Sequence, residues 1–344
     1  MSSRAWQAVG FLLSISLVLA LVATARSAGP LPRLTGPALA GPTHLHLVIS
    51  GSPPYIYDVD ARRVRPVSKS AGPLGDWVRP GGTGAFVASG GCCTSTQVAK
   101  RIQLDGSVRR LATGRSVAPA AGSSATWVLR RLSAGNCRLK LVPGARQSVP
   151  APCRRLSGAG QAGVLMWTST GTLLVDPLTG RIRAEARRIV PVHGDVVLEE
   201  VGTETSLPDD RLALVDLATG ASRRFKLPSI LRGLDEVVVQ PHGTLIAVGF
   251  ADPAYPGPAQ AFDVWMLDTA TGAFTHLPGL PAQVDLKFSS MAWTSDDRLV
   301  LLLQGGGRTV LAIWRPGTNT LPLRPVQLPE HTGGSDTFVA LVGP

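Results

Sequence analysis

The sequence has few charged residues and, beyond residue 44, no convincing amphipathic helix. Charged side chains make up 17% of the chain and hydrophobic ones 44%, which is too apolar for an intrinsically disordered protein. The 38 glycines follow no three-residue period, which excludes a collagen-like chain. Together with 28 prolines, they indicate a globular protein that is rich in turns and built from strands.

Sequence motifs of common catalytic sites are also absent. The chain has no Gly-x-Ser-x-Gly, no His-Glu-x-x-His, no P-loop and no sialidase-type Asp box. His44 and His46 have the spacing of two ligands on one strand face, but no third ligand lies near them in sequence. We therefore expect no metal and no cofactor, and the motifs give no positive reason to assign an enzyme.

The N-terminus carries the long apolar run of the sequence. Residues 9–25 contain no charge and lie between Arg4 and Arg26; as a helix they would span about 26 Å, marginal for a hydrocarbon core of ~30 Å. Ala23-Thr24-Ala25 matches the small-x-small site of signal peptidases. Residues 1–25 are thus a signal peptide or, alternatively, an uncleaved membrane anchor.

Either interpretation of the N-terminus predicts an exported protein, extracellular or on the outer face of the cytoplasmic membrane. No cysteine follows the apolar run and Arg4 has no adjacent arginine, which disfavours a lipoprotein and the twin-arginine route. Residues 26–43 are rich in proline and glycine and predict a spacer. The folded domain is then expected over residues 44–344.

One phrase recurs in the folded region: an apolar strand, Asp-x-x-Thr-Gly, and a second strand. The aspartate side chain can accept the backbone N–H two residues on, and the glycine can adopt a positive φ. The phrase therefore predicts tight hairpin turns with a structural role. Its three clear copies contain Asp176 and Gly180, Asp216 and Gly220, and Asp268 and Gly272.

Four weaker copies, ending near Asp58, Asp105, Gly144 and Gly317, bring the count to seven. Their spacing of about 43 residues is typical of four-stranded propeller blades. The sequence therefore predicts an all-β fold, a β-propeller with seven blades. Six blades are the alternative, because the fourth repeat is short enough to hold only three strands. The first repeat lacks an inner strand, and the apolar residues 337–342 predict a C-terminal strand that completes it and closes the ring.

Two segments of the chain resemble a known repeat. Gln240-Pro-His-Gly-Thr-Leu-Ile-Ala-Val and Asp263-Val-Trp-Met-Leu-Asp-Thr-Ala-Thr-Gly272 are similar to the WD40-like repeat of TolB-type propellers. The similarity is good over residues 236–315, fair over 164–225 and poor before that. His242 replaces the usual aspartate, and no Trp-Asp dipeptide occurs, unlike in ordinary WD40 proteins. The resemblance implies an exported binding scaffold and provides no catalytic residues.

Four cysteines, Cys92, Cys93, Cys137 and Cys153, lie in the second and third repeats. An even number of cysteines in an exported chain indicates disulfides. Cys137 begins a predicted third strand and Cys153 ends the fourth, so a bridge between these two is favoured. The alternative joins Cys92 or Cys93 to Cys137 or Cys153. A Cys₄ metal site is disfavoured because the C-x₂-C spacing is missing.

Positive charge is concentrated in the first half of the chain. Residues 26–190 contain 23 basic and 6 acidic side chains, whereas residues 191–344 contain 10 and 17. Only five of the 34 basic residues are lysines. One interpretation of the positive charge is therefore a solvated surface without a binding function, in a proteome that favours arginine. The other is binding to an anionic envelope component, such as lipid headgroups or wall polymers. The candidates for this binding are Arg62, Arg63, Arg65, Arg109, Arg110, Arg130, Arg131, Arg154, Arg155, Arg187 and Arg188.

These features predict a non-catalytic, monomeric binding or interaction scaffold at the cell envelope, with an envelope protein or anionic component as its partner. No nucleic-acid partner is expected, because aromatic residues are not interleaved with the arginine clusters. The N-terminus offers membrane association. The candidate binding loops are residues 253–258, residues 202–210 and the rim with Cys92 and Cys93. The alternative is a propeller enzyme, a hydrolase or lyase acting on a wall or peptide substrate. Carboxylates or histidines at the mouth of the channel would favour the enzyme, whereas an apolar or arginine-lined mouth would favour the scaffold.

The N-terminal assignment predicts a specific intact mass for the protein from its native cell fraction. Cleavage after Ala25 gives a mass corresponding to residues 26–344, and mass spectrometry with and without reduction and alkylation counts the disulfides. A full-length, membrane-bound chain would instead identify an anchored protein. Four free thiols would contradict export.

Overall fold

The computed structural model describes residues 33–49, 54–68, 77–80, 84–90, 96–121, 124–133, 135–145, 147–201, 211–228, 233–252, 260–284, 289–305, 308–328 and 339–342. The regular elements in these segments are all β-strands. None of the described segments forms a helix that could cross a membrane.

The described residues contain 29 strands. The first seven are β1 (His46–Ile49), β2 (Tyr55–Asp58), β3 (Arg63–Pro66), β4 (Trp77–Pro80), β5 (Gly84–Ser89), β6 (Gln97–Gln103) and β7 (Val108–Gly114). The next eight are β8 (Ser116–Pro119), β9 (Thr126–Ser133), β10 (Asn136–Val142), β11 (Val149–Ala151), β12 (Arg155–Gly160), β13 (Gly163–Trp167), β14 (Thr172–Val175) and β15 (Ile182–Ala186).

The second half of the chain contributes the remaining strands. They are β16 (Arg188–Pro191), β17 (Val196–Val201), β18 (Arg211–Asp216), β19 (Ser222–Lys226), β20 (Gly233–Val239), β21 (Leu245–Asp252), β22 (Gln260–Asp268), β23 (Phe274–His276), β24 (Ala282–Val284), β25 (Ser289–Trp293), β26 (Leu299–Gly305), β27 (Arg308–Trp314), β28 (Leu323–Val326) and β29 (Val339–Val342).

These strands form seven antiparallel sheets, and the chain is a seven-bladed β-propeller. Blade 1 has the strand order β29-β1-β2-β3, blades 2 to 5 are β4 to β7, β8 to β11, β12 to β15 and β16 to β19, blade 6 is β20 to β23, and blade 7 is β25 to β28. The first strand of each order is the inner one, since these strands contact one another around the ring. The predicted all-β fold is confirmed.

Each blade is apolar on both faces because both faces are covered by neighbouring blades. In β14, Leu173 and Val175 pack in the core between blades 3 and 4, whereas Leu174 packs in the core between blades 4 and 5. Successive side chains of a strand point to opposite faces. This arrangement explains why the strands are continuous apolar runs rather than alternating ones.

Blade 4 shows why the six-blade alternative is wrong. It has four strands, as the other blades do, despite its short repeat. Its connections are shorter than most: two residues join β12 to β13, and Gly163 follows them with φ 148°. A side chain at this glycine would meet the carbonyl oxygen of Val175. Short turns, rather than a missing strand, account for the length of this repeat.

The segment predicted as a spacer contacts the propeller from residue 33 onward. Arg33 bridges to Gln283 in β24, which pairs with β22 as a fifth strand of blade 6. Ala38 bridges to Leu323 in the outer strand of blade 7. Residues 33–43 thus run along the outer edges of blades 6 and 7, so these contacts begin before the predicted domain boundary at residue 44.

Strand β29 pairs with β1 as the inner strand of blade 1. The register joins Val48 to Ala340 and His46 to Val342, and Val342 is buried. That this pairing closes the ring stays a prediction, which truncation tests.

Deletion of residues 339–344 is expected to lower the free energy of unfolding by several kcal/mol, because burial of one valine alone contributes about 1.5–3 kcal/mol. Deletion of residues 343–344 alone, which leaves β29 intact, is the control. Chemical denaturation of both truncated proteins measures the difference. Equal stability of the two would show that β29 does not hold the ring together.

Asp60, in the turn after β2 of blade 1, forms hydrogen bonds that connect the N-terminal segment to blades 1 and 7. Its carboxylate accepts hydrogen bonds from the backbone N–H groups of Thr43 and His44, at 2.8 and 2.7 Å, and from Arg324 Nη1 at 2.7 Å. Burial works to raise the pKa of Asp60, but the hydrogen bonds outweigh it, so the pKa lies below its ordinary value.

This lowered pKa predicts an acid-dependent contribution to stability. The contribution is present above the pKa of an unfolded aspartate, about 3.9, and is lost as the pH falls through the lower folded value. Asp60→Asn should lower the free energy of unfolding at neutral pH by about 1–3 kcal/mol, and the difference from the wild type should narrow below pH ~4. Asp105→Asn in blade 2, which removes an exposed carboxylate that accepts only a local hydrogen bond from Ser107, is the control and should change the stability less. A difference independent of pH would contradict the assignment.

Candidate anion-binding face

We call the face of the ring on which the inner strands begin the mouth face. Because strands alternate in direction within a blade, the second strands end on this face and the third strands begin there. Six of the predicted arginines lie on it. Arg155 and Arg188 begin the inner strands β12 and β16, Arg154 and Arg187 directly precede them, and Arg130 and Arg131 lie near the end of β9.

Arg188 connects two blades. Its guanidinium donates to the carbonyl oxygens of Leu234 and Asp235 in blade 6, at 3.1 and 2.6 Å. It also forms an ion pair with Glu200, at 3.6 Å, and Arg187 contacts the same carboxylate at 3.5 Å. Arg188 therefore holds the wall of the channel together, and its charge is largely compensated.

Carboxylates also lie around this mouth. Glu236 accepts the backbone N–H of Met291 in blade 7, at 2.8 Å, so it has a structural role like that of Glu200. Glu199 is partly buried on the side of blade 5 that faces blade 4, and burial raises its pKa. The described mouth is thus lined by both arginines and carboxylates.

Trp167 and Arg155 form a pair at the surface of blade 4. The two residues are opposite each other on β13 and β12, and the guanidinium carbon lies 5.8 Å from the centre of the indole ring. Trp167 is 58% exposed. Trp167 could not be selected from the sequence, since its exposure depends on which strands extend beside it.

Blade 3 presents a projecting hairpin on the same face. The inner strand β8 begins at Ser116, which pairs with Leu129 of β9, so residues 130–133 extend beyond it and remain exposed. These residues pair only with β10, and the register shifts beside Cys137. Leu132, at 62% exposure, was also not selected from the sequence.

The predicted Cys137–Cys153 disulfide is confirmed. The Cα atoms are 5.1 Å apart, because Cys137 lies opposite Ala151 in the pairing of β10 with β11. Cys137 is buried. The bond ties the base of the projecting hairpin to the connection that carries Arg154. Cys92 and Cys93 lie outside the described residues, as do the candidate loops 202–210 and 253–258.

The other five predicted arginines lie away from the mouth face. They are Arg62, Arg63, Arg65, Arg109 and Arg110, on the outer strands β3 and β7 and the turn before β3. On blade 2, Lys100 lies directly opposite Arg110, and its pKa is lowered by burial and then by the charge of Arg110. The predicted arginines therefore form two groups instead of one surface.

The Asp-x-x-Thr-Gly turns have the geometry expected of local structure. Asp176 Oδ1 accepts the N–H groups of Leu178 and Thr179, at 2.7 and 3.2 Å, and Asp216 does the same in blade 5. Gly180, Gly220 and Gly272 have φ of 74°, 74° and 72°. The pKa of Asp268, like those of Asp176 and Asp216, is lowered first by a backbone hydrogen bond of its turn.

The histidines of the described segments do not form a common ligand set. His44 has a positive φ of 56° and precedes β1, so it does not share a strand face with His46, which lies 3.6 Å from Asp58. His276 contacts buried Asp263 at 2.6 Å and stacks on Trp265. Within the described ranges, no group of three or more His, Cys, Asp or Glu side chains could hold a metal ion.

No family model matches the chain, and no curated protein matches it. Among solved structures, it is similar to a chain of the mitotic checkpoint complex, with 11% identity, a TM-score of 0.49 and coverage of 87% of this chain and 94% of that one. It is also similar to the acylaminoacyl peptidase of Pyrococcus horikoshii, with 9% identity, a TM-score of 0.48 and coverage of 80% and 47%.

A third similarity is to hydrazine synthase of Kuenenia stuttgartiensis, with 13% identity, a TM-score of 0.46 and coverage of 70% and 76%. The chain spans about half the length of the peptidase chain. At these identities a likeness concerns the fold alone, and the assignment of the propeller rests on the strand pairing described above.

Proposed function

We propose that this chain is an exported, non-catalytic β-propeller of the TolB-like kind that binds an anionic component of the cell envelope through its mouth face. One observation carries the proposal: Arg130, Arg131 and Arg154 are exposed on the mouth face of blades 3 and 4. None of the three forms an ion pair with a carboxylate of the described residues. The resemblance of the repeats supports the TolB-like assignment.

Two further features support the location and the ligand class. The apolar run at residues 9–25 favours export, and a structural disulfide is typical of proteins in oxidising compartments. Each arginine near an anionic surface contributes about 1 kcal/mol of attraction, which salt screens over ~8 Å at physiological ionic strength. Three arginines on one face therefore contribute about 3 kcal/mol, which is a factor of roughly 100 in the binding constant.

The alternative, a propeller enzyme acting on a wall or peptide substrate, has one observation in its favour. The raised pKa of Glu199 beside the mouth is a property of acid catalysts. Glu200 and Glu236, however, are engaged by the arginines and by the backbone of the channel wall. This arrangement favours the scaffold.

The proposal predicts salt-sensitive binding that depends on the mouth face. The triple variant R130A/R131A/R154A should bind anionic vesicles and soluble polyphosphate about 100-fold more weakly than the wild type at low salt. R63A/R109A/R110A, which removes the same charge from the outer edges of blades 1 and 2, is the control and should bind nearly as the wild type does. Co-sedimentation and titration measure both.

Binding unchanged between low and high salt would contradict an electrostatic role. Equal losses in the two triple variants would show that net charge, rather than the mouth face, attracts the ligand. Release of products from a wall polymer or peptide, abolished by Glu199→Gln, would favour the enzyme instead.

A further inference from the structure

We propose that the mouth face of blades 3 and 4 docks on an anionic lipid bilayer, with Leu132 and Trp167 entering the interfacial layer and arginines contacting the headgroup phosphates. The inference rests on the proposed function and specifies its ligand. It is carried by the position of two exposed apolar side chains among the cations of that face.

Leu132 and Trp167 lie at the mouth-face ends of the second strands of adjacent blades. Leu132 is the second-last residue of β9, and Trp167 is the last residue of β13. Both strands are the second strands of their blades and therefore end on the mouth face. Their exposed fractions are 62% and 58%, so each keeps most of its apolar surface in water.

The other strongly exposed hydrophobic residues of the described segments lie elsewhere. Val64 and Ile182 are on outer strands, and Leu178 lies in the turn between β14 and β15, on the opposite face. The combination of exposed apolar side chains with several arginines therefore distinguishes the mouth face of blades 3 and 4.

The projecting hairpin places Leu132 where it can enter the interfacial layer of a bilayer. Residues 130–133 extend past the inner strand of blade 3, and the shifted register leaves Leu132 without a partner on β10. Leu132 therefore lies further out on the mouth face than β8, the inner strand of its own blade.

Cations surround the two apolar side chains. Arg130 and Arg138 are directly opposite each other on the hairpin, and Arg131 is opposite Cys137. The guanidinium of Arg155 lies over the ring of Trp167, 5.8 Å from its centre. Arginines with long apolar stems, next to tryptophan and leucine, are the composition of surfaces that lie in the headgroup region of a bilayer. Like charges on opposite strands repel one another, and phosphate groups between them would relieve that repulsion.

A lipid bilayer fits this face better than a soluble polyanion does. A polyanion in water can neutralise the arginines, but it offers no apolar phase to Leu132 and Trp167. Tryptophan is favoured at membrane interfaces because its ring is apolar and its N–H is polar. The disulfide holds the hairpin base to the connection before Arg154, so the two groups of arginines are fixed relative to each other before contact.

The test compares lipid with polymer. Wild type, L132S, W167S and L178S are mixed with phosphatidylcholine vesicles with and without phosphatidylglycerol, and separately with soluble polyphosphate. L132S and W167S should each weaken partition onto the anionic vesicles about tenfold, which corresponds to losing most of the burial of one large apolar side chain. Binding to polyphosphate should stay within a factor of about two, since the charge is unchanged.

L178S is the matched control, because it removes a leucine that is even more exposed from the opposite face and should partition as the wild type does. If L132S and W167S partition like the wild type, the docking inference is wrong while the proposed function stands. Binding of the wild type to polyphosphate but not to vesicles would likewise overturn the docking inference alone. If the wild type binds neither, the proposed function fails, and the inference fails with it.

Discussion

The structure depends on one constraint: every blade is a four-stranded sheet with two apolar faces, and both must be covered. Since each blade can cover only one face of each neighbour, the sheets have to stack around a ring. The inner strands do not pair across blades, so side chains connect their free edges instead. Arg188 reaches blade 6, Met291 donates to Glu236 of blade 6 from blade 7, and the backbone N–H of Leu156 in blade 4 donates to Ser116 of blade 3.

The same constraint explains where the candidate site lies. A side chain is free to contact the surroundings only where it lies outside the packed layers between blades. Residues 130–133 do so because they extend beyond β8, and Trp167 does so as the last residue of β13, where it pairs with Arg155 and Thr172. At these positions packing between blades does not restrict the side chain, whereas the directly preceding residues Leu129 and Met166 are fully buried.

Much of the fold could be predicted from the sequence, because the repeated turn has local causes. The aspartate and the positive-φ glycine of each of the three clear copies act within five residues, and the spacing of all seven copies predicts the number of blades. The disulfide could also be predicted from the sequence, since Cys137 and Cys153 flank a single hairpin. Leu132, Trp167 and Lys100 could not, because their exposure or electrostatic surroundings depend on neighbouring strands. The proline and glycine content of residues 33–43 predicts a spacer. Their bridges to blades 6 and 7 depend on strands far away in sequence, so composition does not reveal them.

The pairing of β29 with β1 has a consequence for biosynthesis. A ribosome makes β1 to β3 first and β29 only ~300 residues later, which is an extreme sequence separation for a contact. During that interval the open edge of β1 is a template on which another strand can add. Folding of blade 1 before β29 is made would therefore leave this edge open to pairing with a second copy of the chain.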